Sequence, residues 1–199
     1  MNDQFQHVMV LASIILGLGI THLLLGVNAA IDRISSDDRP IRLSWASGFW
    51  LAYLFVWMVL FWWWEFRLLD LLEYWSLWRY FVVIGYALVL FLLVALLVPK
   101  DWGSIENMDQ YFLSKRRWFY PILLVAFTLD LLDSYMKGGM DYVWGTGALT
   151  WGLNIVAVPV CIIGFRSSRI RVHSVIGFVF FVWQLLIGLD VSPLLRGPA

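Results

Sequence analysis

Two aspartates, Asp130 and Asp133, stand three residues apart in the apolar segment FTLDLLDSYMK, residues 127–137. A carboxylate near the centre of a bilayer costs about 3 kcal/mol or more unless it faces water, pairs with a cation or binds a proton. The sequence places no Lys or Arg at the depth of Asp130, so desolvation favours its neutral, hydrogen-bonded form. Asp130 is therefore either a site that responds to protons or cations, or a protonated carboxyl that holds helices together.

Polar side chains at a similar depth occur on three other apolar segments. At a rise of about 1.5 Å per residue, Asp130, Asn154 and Gln184 each lie about 16–18 Å from the cytoplasmic end of their segments. His22, which follows Thr21, lies somewhat closer to the cytoplasm. We predict that Asp130, Asn154, Gln184, His22 and Thr21 form a midplane polar site.

Three further carboxyl groups lie near the opposite, outer boundary of their segments. Glu65, Asp133 and Asp190 end apolar runs there and could form an outer acidic mouth that attracts cations. The alternative is that they are three solvated helix ends. Lys137 lies four residues after Asp133, the spacing at which a lysine and a carboxylate pair on a helix.

Several other kinds of site are disfavoured by residue type. The single cysteine, Cys161, excludes an intramolecular disulfide and any multi-cysteine zinc or iron–sulfur site. No two histidines share a depth at which they could clamp a haem, and no buried lysine is expected for a retinal Schiff base. We therefore predict no metal and no cofactor.

An intramembrane enzyme is the least favoured of the three functions that we consider. Asp130 in FTLD and Asp190 in IGLD lie on two helices, as the aspartates of intramembrane aspartyl proteases do. Those enzymes carry Gly-x-Gly-Asp, whereas LIGLD lacks the second glycine position, and Asp190 lies too close to the membrane boundary. The missing glycine and the shallow position of Asp190 therefore disfavour peptidase chemistry.

The composition places the chain in the membrane class. Of its 199 residues 61% are hydrophobic and 14% are charged, against about 45–50% and about 25% in soluble domains. The 13 Trp, 8 Tyr and 14 Phe suit aromatic belts at the two membrane interfaces. The formal net charge of zero gives no indication of a nucleic-acid partner.

Loop charge settles how many times the chain crosses. Five charge-free windows are long enough to span a bilayer, and a sixth candidate beginning at Trp118 is interrupted by Asp130. Only with six spans do the clusters after the first, third and fifth spans, ten of the 14 Lys and Arg residues, share the cytoplasmic side. The predicted spans are about 8–31, 44–66, 78–98, 118–136, 144–165 and 173–190.

The chain is thus predicted to be an all-α, polytopic integral membrane protein. Residues 1–199 form one domain with six transmembrane helices and both termini in the periplasm. The first apolar run has no preceding basic residue and no small-residue cleavage site, so we expect a retained helix and not a signal peptide.

Small and polar residues predict which helices are central. In the first span Ala12, Gly19 and Gly26 share one stripe, and Gly17 and Thr21 lie nearly opposite, so both sides should contact protein. The third span has almost no polar residue and should be peripheral. We expect the first, fourth, fifth and sixth helices to form the polar centre.

Two short echoes suggest an internal repeat. WASG at 45–48 matches WGTG at 144–147, and VIGY at 83–86 matches VIGF at 175–178. Two three-helix halves in series must be inverted, a common plan for transporters. The alternative to this 3+3 inverted repeat is that such residues simply favour helix starts at interfaces.

The segment SIILGLGITHLLLG, residues 13–26, resembles the opening helix of small, uncharacterised bacterial inner-membrane proteins. The resemblance covers about one span. It implies a location in the bacterial inner membrane and no particular activity.

Two functions remain open from the sequence. One is a transporter or channel for a small solute or cation, with a proton-responsive midplane site and a homo-oligomeric assembly. The other is a non-transporting sensor, anchor or effector subunit, for example in stress or phage defence, that acts with a cytoplasmic partner protein. In either case a basic surface should contact anionic membrane lipid or that partner. Its residues are Lys115, Arg116, Arg117, Arg166, Arg169 and Arg171.

Overall fold

The computed structural model describes residues 2–35, 41–65 and 76–190. Within these ranges the chain forms six α-helices, each long and apolar enough to cross a bilayer, and no β-strand. They are α1 (Asn2–Ser35), α2 (Trp45–Glu65), α3 (Leu77–Leu97), α4 (Met108–Gly145), α5 (Ala148–Arg166) and α6 (Ile170–Asp190). The predicted all-α polytopic fold is confirmed.

The helical form of these segments follows from their apolar surroundings. Lipid offers no hydrogen bonds, so a crossing segment must satisfy its backbone internally, and a helix does this within one segment. α3 shows how such a helix stops. Its last backbone bond runs from the Val98 N–H to the Val94 carbonyl (3.1 Å), and the next residue, Pro99, has no N–H with which to continue.

The arrangement of the helices corrects the predicted centre. α2 packs chiefly against α6 and also contacts α1, α3 and α4, whereas α1 packs chiefly against α3. α3 is the most buried of the six spans, with 50% of its most apolar window buried against 33% for α1. The third helix is therefore not peripheral. Its apolar side chains contact protein instead of lipid, a choice that hydrophobicity alone does not reveal.

The two stripes of α1 have different environments. Gly19 and Gly26 face the bundle, and a Cβ on Gly26 would lie 2.6 Å from Val98 Cγ1, so only glycine permits this close approach. Gly17 and Thr21, on the opposite side, are exposed. The prediction that both sides of α1 contact protein is therefore wrong within the single chain.

The fourth span is part of a longer, broken helix. α4 runs over 38 residues, and it begins after Asn107, whose side chain accepts a hydrogen bond from the Asp109 N–H (2.9 Å). Its regular geometry is interrupted at Gly138 and Gly139. Gly139 has φ +67°, a left-handed conformation that favours glycine. The break follows Lys137 directly.

Aromatic rings fill the middle of the bundle. Trp50 lies 5.0 Å from the Phe119 ring and Trp57 lies 4.9 Å from the Phe127 ring, measured between centroids. Both tryptophans are buried, so they contribute to the core and not to an interfacial belt. Exposed tryptophans do occur near helix ends, as an interfacial belt requires. They are Trp45, Trp63, Trp78 and Trp144.

A short backbone bridge ties two loops together. The Arg42 N–H donates to the Glu106 carbonyl, and the Met108 N–H donates to the Arg42 carbonyl, both at 3.0 Å. The bridge joins the connection before α2 to the one before α4. These two connections must share a membrane side if every helix crosses, so the bridge agrees with six crossings.

The inverted repeat stays a prediction. Within the first half the most extensive helix pair is α1 with α3, whereas within the second half it is α4 with α5. The two halves therefore differ in their principal helix pair.

Candidate functional site

A buried ion cluster joins the end of α2 to α4. Lys137 Nζ donates to Glu65 Oε1 at 3.0 Å and also pairs with Asp133 Oδ2. All three residues are buried, with exposed fractions of 1% for Glu65, 3% for Asp133 and 4% for Lys137. The predicted pairing of Asp133 with Lys137 at i,i+4 is confirmed.

This cluster corrects two expectations. Glu65 and Asp133 are buried and paired, so they do not form an open acidic mouth, and the Asp190 side chain lies outside the described part of the chain. The expectation that no lysine is buried is also wrong, because Lys137 is. Both errors have one cause. The predicted fourth span ends at residue 136, just before Lys137, whereas α4 continues beyond Lys137 to Gly145.

A hydrogen-bonded chain connects Asp130 to three other helices. The Tyr86 hydroxyl accepts from Trp57 Nε1 (2.6 Å) and donates to Asp130 Oδ1 (2.7 Å). The Asn154 amide donates to Asp130 Oδ2 (3.3 Å). Asp130 and Asn154 therefore meet as the sequence predicted. Tyr86 and Trp57 were missed, although a lone Tyr near the middle of the apolar α3 was the available signal.

A small, partly enclosed cavity separates the Asp130 chain from the Lys137 cluster. Its volume is ≈ 40 Å³, and one water needs about 10–15 Å³ of such space, so it has room for about three. Six of its eight lining residues carry a hydroxyl or carboxyl group. The lining residues are Trp64, Asp130, Asp133, Ser134, Lys137, Tyr142, Thr146 and Thr150.

Several acceptor oxygens at this place have no protein partner. Glu65 Oε2, Asp133 Oδ1 and Asn154 Oδ1 are buried without a hydrogen-bond donor among the described residues. A buried acceptor left unsatisfied costs about 1–3 kcal/mol, and more when it is charged. The site therefore favours a species that brings positive charge or a donated proton.

The charges of the site do not balance. Glu65 and Asp133 pair with the ammonium of Lys137, and Asp130, which lines the same cavity, has no cation of its own among the described residues. Each uncompensated ion removed from water costs several kcal/mol. The arrangement can thus take up a proton or a small cation. It can release either of them when another positive charge approaches the carboxylates.

The structure does not bring the other predicted midplane residues to this cavity. Gln184 is buried on α6, and His22 on α1 lies against the Phe91 ring, with centroids 6.4 Å apart. Thr21 is exposed. The predicted five-residue site therefore reduces to Asp130, which lines the cavity, and Asn154, which hydrogen-bonds to Asp130. Equal depth along two helices does not make their side chains face each other.

A second buried polar pair links α4 to α6. The Tyr120 hydroxyl lies 2.7 Å from His173 Nδ1, and His173 Nε2 lies 3.2 Å from the Ser167 carbonyl oxygen. A carbonyl only accepts, so Nε2 carries the proton and Nδ1 accepts from Tyr120 when the ring is neutral. His173 is fully buried. This pair was not predicted from the sequence.

The predicted basic surface is distributed over the starts of α4 and α6 and the end of α5. Arg117, Arg166, Arg169 and Arg171 are exposed there. Lys115 Nζ lies 5.5 Å from the centre of the Tyr111 ring, whereas Arg116 donates to the Leu113 carbonyl (2.6 Å). Contact of this surface with lipid or a partner stays a prediction.

The Tyr86 hydroxyl should be a measurable part of this site's stability. Tyr86→Phe leaves Trp57 Nε1 without its acceptor and Asp130 without one donor, so we expect a loss of about 1–3 kcal/mol in the free energy of unfolding. Thermal unfolding of the purified protein in detergent measures it. The matched control is Tyr135→Phe, an exposed tyrosine on α4. Equal unfolding temperatures for both variants would contradict the assigned chain.

No group of three or more His, Cys, Asp or Glu side chains is placed to hold a metal ion in the part of the chain that the structure describes. Comparison with protein-family models, curated proteins and solved structures gave no match. The function is therefore inferred from the chemistry of the residues themselves.

Proposed function

We propose that this chain is a small membrane transporter or channel for protons or small monovalent cations, and that the cavity between Asp130 and Lys137 is its working site. One observation carries the proposal. Among the described residues, two carboxyl groups pair with one ammonium, and a third, that of Asp130, lines the same cavity as this ammonium inside a membrane-spanning bundle. Ionisable residues within spans mark ion and proton pathways by default.

The size of the cavity supports the choice of solute. A volume of ≈ 40 Å³ is far below the roughly 300–1,000 Å³ of pockets that hold organic ligands. It suits a proton carried on water or a carboxyl, or one dehydrated cation among carboxylate and hydroxyl oxygens. A larger solute does not fit this state of the bundle.

The break in α4 supports a working role for the same place. Transporters build ion sites from discontinuous helices, whose unwound backbone is tolerated only where it lines a cavity. Here the break at Gly138 and Gly139 follows Lys137, and Tyr142 beyond it lines the cavity. A change at the glycine pair would move the Tyr142 wall relative to Asp130.

The proposal includes an orientation and a location. We place the chain in a bacterial inner membrane with both termini in the periplasm, because this puts ten of the 14 basic residues on the cytoplasmic side. α4 then enters from the cytoplasm, and the cavity lies towards the periplasmic end of the bundle. A homo-oligomer is proposed because so small a bundle encloses little volume.

A specific observation also favours the second function. The middle of the bundle is filled by rings, and Trp57, Tyr86, Asp130 and Asn154 link four helices by direct hydrogen bonds. A sensor, anchor or effector subunit that works with a cytoplasmic partner needs such a rigid core and no ion path. The two functions differ in whether the purified chain moves ions.

Flux through proteoliposomes tests the proposal. We expect wild-type protein to carry protons or monovalent cations between pH 5 and pH 8 and Asp130→Asn to fall to the level of empty liposomes, because Asn keeps the shape but cannot ionise. Asp141→Asn, an exposed acid on the same helix, should retain the wild-type rate. Thermal unfolding of each variant establishes that it is folded.

The alternative outcomes are distinct. If folded Asp130→Asn conducts as wild type does, this carboxyl is not the working group. If no protein conducts above empty liposomes, autonomous transport is excluded and Asp130 is a structural link between helices. The sensor or effector function would then be pursued by identifying the partner.

A further inference from the structure

A second, much larger cavity lies where α3 ends and α4 begins. Its volume is ≈ 480 Å³, against ≈ 40 Å³ for the Asp130 cavity. Its wall comes from the last turns of α3, the connection through the Trp102–Ser104 turn and the start of α4. It shares no lining residue with the Asp130 cavity, so it requires its own explanation.

The wall that α3 contributes to this cavity is apolar and continuous with the membrane-facing surface of the same helix. Leu92, Ala95 and Leu96 line it at the i, i+3 and i+4 spacing of one helix face. Leu92 is 43% exposed. In a bilayer this wall contacts hydrocarbon chains, so it is open to a lipid tail from the side.

The rim of the cavity, formed by the connection after α3 and the start of α4, is cationic. Lys100 and Lys115 both line the cavity. Lys115 Nζ lies 5.5 Å from the centre of the Tyr111 ring, and the Tyr111 hydroxyl donates to the Leu96 carbonyl (3.2 Å), which fixes the ring beneath the ammonium. A cation–π contact with Tyr111 therefore holds Lys115 in place and leaves the N–H donors of Lys115 available.

One acidic residue also lies at the rim. Asp101 lines the cavity, but its Oδ1 accepts from the Gly103 N–H (2.9 Å) within its own turn. Two ammonium groups and one carboxylate leave a net positive charge at the rim. An anionic group is therefore attracted to this rim.

We propose that this cavity binds one anionic phospholipid of the surrounding membrane. Its phosphate would lie between Lys100 and Lys115, and one acyl chain would run along Leu92 and Leu96. The observations that carry this are the apolar wall directly below a cationic rim and a volume within the range of ligand pockets. The inference does not depend on the proposed transport.

Lipid binding to the full chain tests this site. Native mass spectrometry of the detergent-purified protein would measure dissociation constants for phosphatidylglycerol and for phosphatidylcholine with the same acyl chains. We expect tighter binding of phosphatidylglycerol. The double variant Lys100→Gln/Lys115→Gln should weaken the binding of phosphatidylglycerol by about tenfold or more, because each basic residue near a lipid surface strengthens binding about fivefold.

A control variant separates the site from general attraction. Arg42→Gln removes one exposed basic residue that lies outside both this cavity and the predicted basic surface, and it should leave phosphatidylglycerol binding nearly unchanged. Ala95→Phe fills the apolar wall without changing charge and should also weaken binding. Equal losses in the two charge variants would overturn the proposal.

Glycerol phosphate distinguishes lipid from free phosphate. It carries the headgroup chemistry without an acyl chain, and we expect it to bind far more weakly than the whole lipid. If it binds as tightly and Ala95→Phe has no effect, the site takes a soluble phosphate and the lipid proposal fails. Equal affinities for the two phospholipids would exclude a headgroup site at these lysines.

Discussion

Lys137→Met should destabilise the protein by about 3–5 kcal/mol, the cost of breaking a buried ion pair by removing one partner. Lys137 is the only described cation that contacts the carboxylates of Glu65 and Asp133, and it is almost fully buried. Without it two acids remain in a low-dielectric interior with no compensating charge. We expect a lower thermal unfolding temperature in detergent. Lys100→Met, at an exposed lysine, should shift it little.

A variant without the buried charges tests whether Lys137 stabilises the protein through its charge or through its packing. In the triple variant Glu65→Gln/Asp133→Asn/Lys137→Met the buried charges disappear together, and replacing a whole buried ion pair is often close to neutral. We expect most of the lost stability to return. If the triple variant is as unstable as Lys137→Met, the lysine acts through its packing. If Lys137→Met unfolds at the wild-type temperature, the buried cluster is wrongly assigned.

Gly164→Ala should also be strongly destabilising, although it adds a single methyl group. A Cβ at Gly164 would overlap the Tyr120 ring at its Cζ and Cε atoms. The ring has little freedom to move, because its hydroxyl bonds His173 (2.7 Å) and its faces contact Trp50 and Phe119. Overpacking of a filled core costs about 1–3 kcal/mol, and at times more.

The matched control lies on the same helix. A Cβ at Gly152 would meet only Trp183, at 3.5 Å, which is ordinary contact. Gly152→Ala should therefore be neutral or stabilising by up to about 1 kcal/mol, since Ala is the better helix former. Thermal unfolding of both variants in detergent is the measurement, and equal shifts would contradict the packing described for Gly164.

A double variant tests the cause. Tyr120→Leu removes the ring carbons that the new methyl would overlap, so Gly164→Ala should cost less in that background than in wild type. Additive losses would place the cost elsewhere in α5. The comparison is a double-mutant cycle between two residues in direct contact, where non-additivity is expected.

The sequence alone determined the class of the protein and the number of helices that could cross a membrane. The length of the apolar runs and the distribution of Lys and Arg predicted six spans, and the structure has six helices that meet this requirement. The fourth span was predicted despite Asp130, because deleting it would have placed the 166–171 cluster on the wrong side. These inferences depend only on distance along the chain and on charge, which sequence records directly.

The candidate site was determined only in part. A rise of about 1.5 Å per residue fixes the depth of a side chain, so Asp130 and Asn154 were correctly expected to lie level. Depth also suggested His22 and Gln184, which lie away from the cavity. Depth did not suggest Tyr86, whose hydroxyl joins Asp130 to Trp57.

Only the tertiary structure decided which way each helix faces and which helix lies in the middle. In water an apolar stripe must turn inward, so its pattern predicts burial. In a bilayer lipid tails are as apolar as leucine, and packing alone chooses the face. For that reason α3, with hardly a polar residue, became the most buried span. Lys137, which follows the predicted end of the fourth span, became the buried partner of two carboxylates because α4 continues beyond it to Gly145.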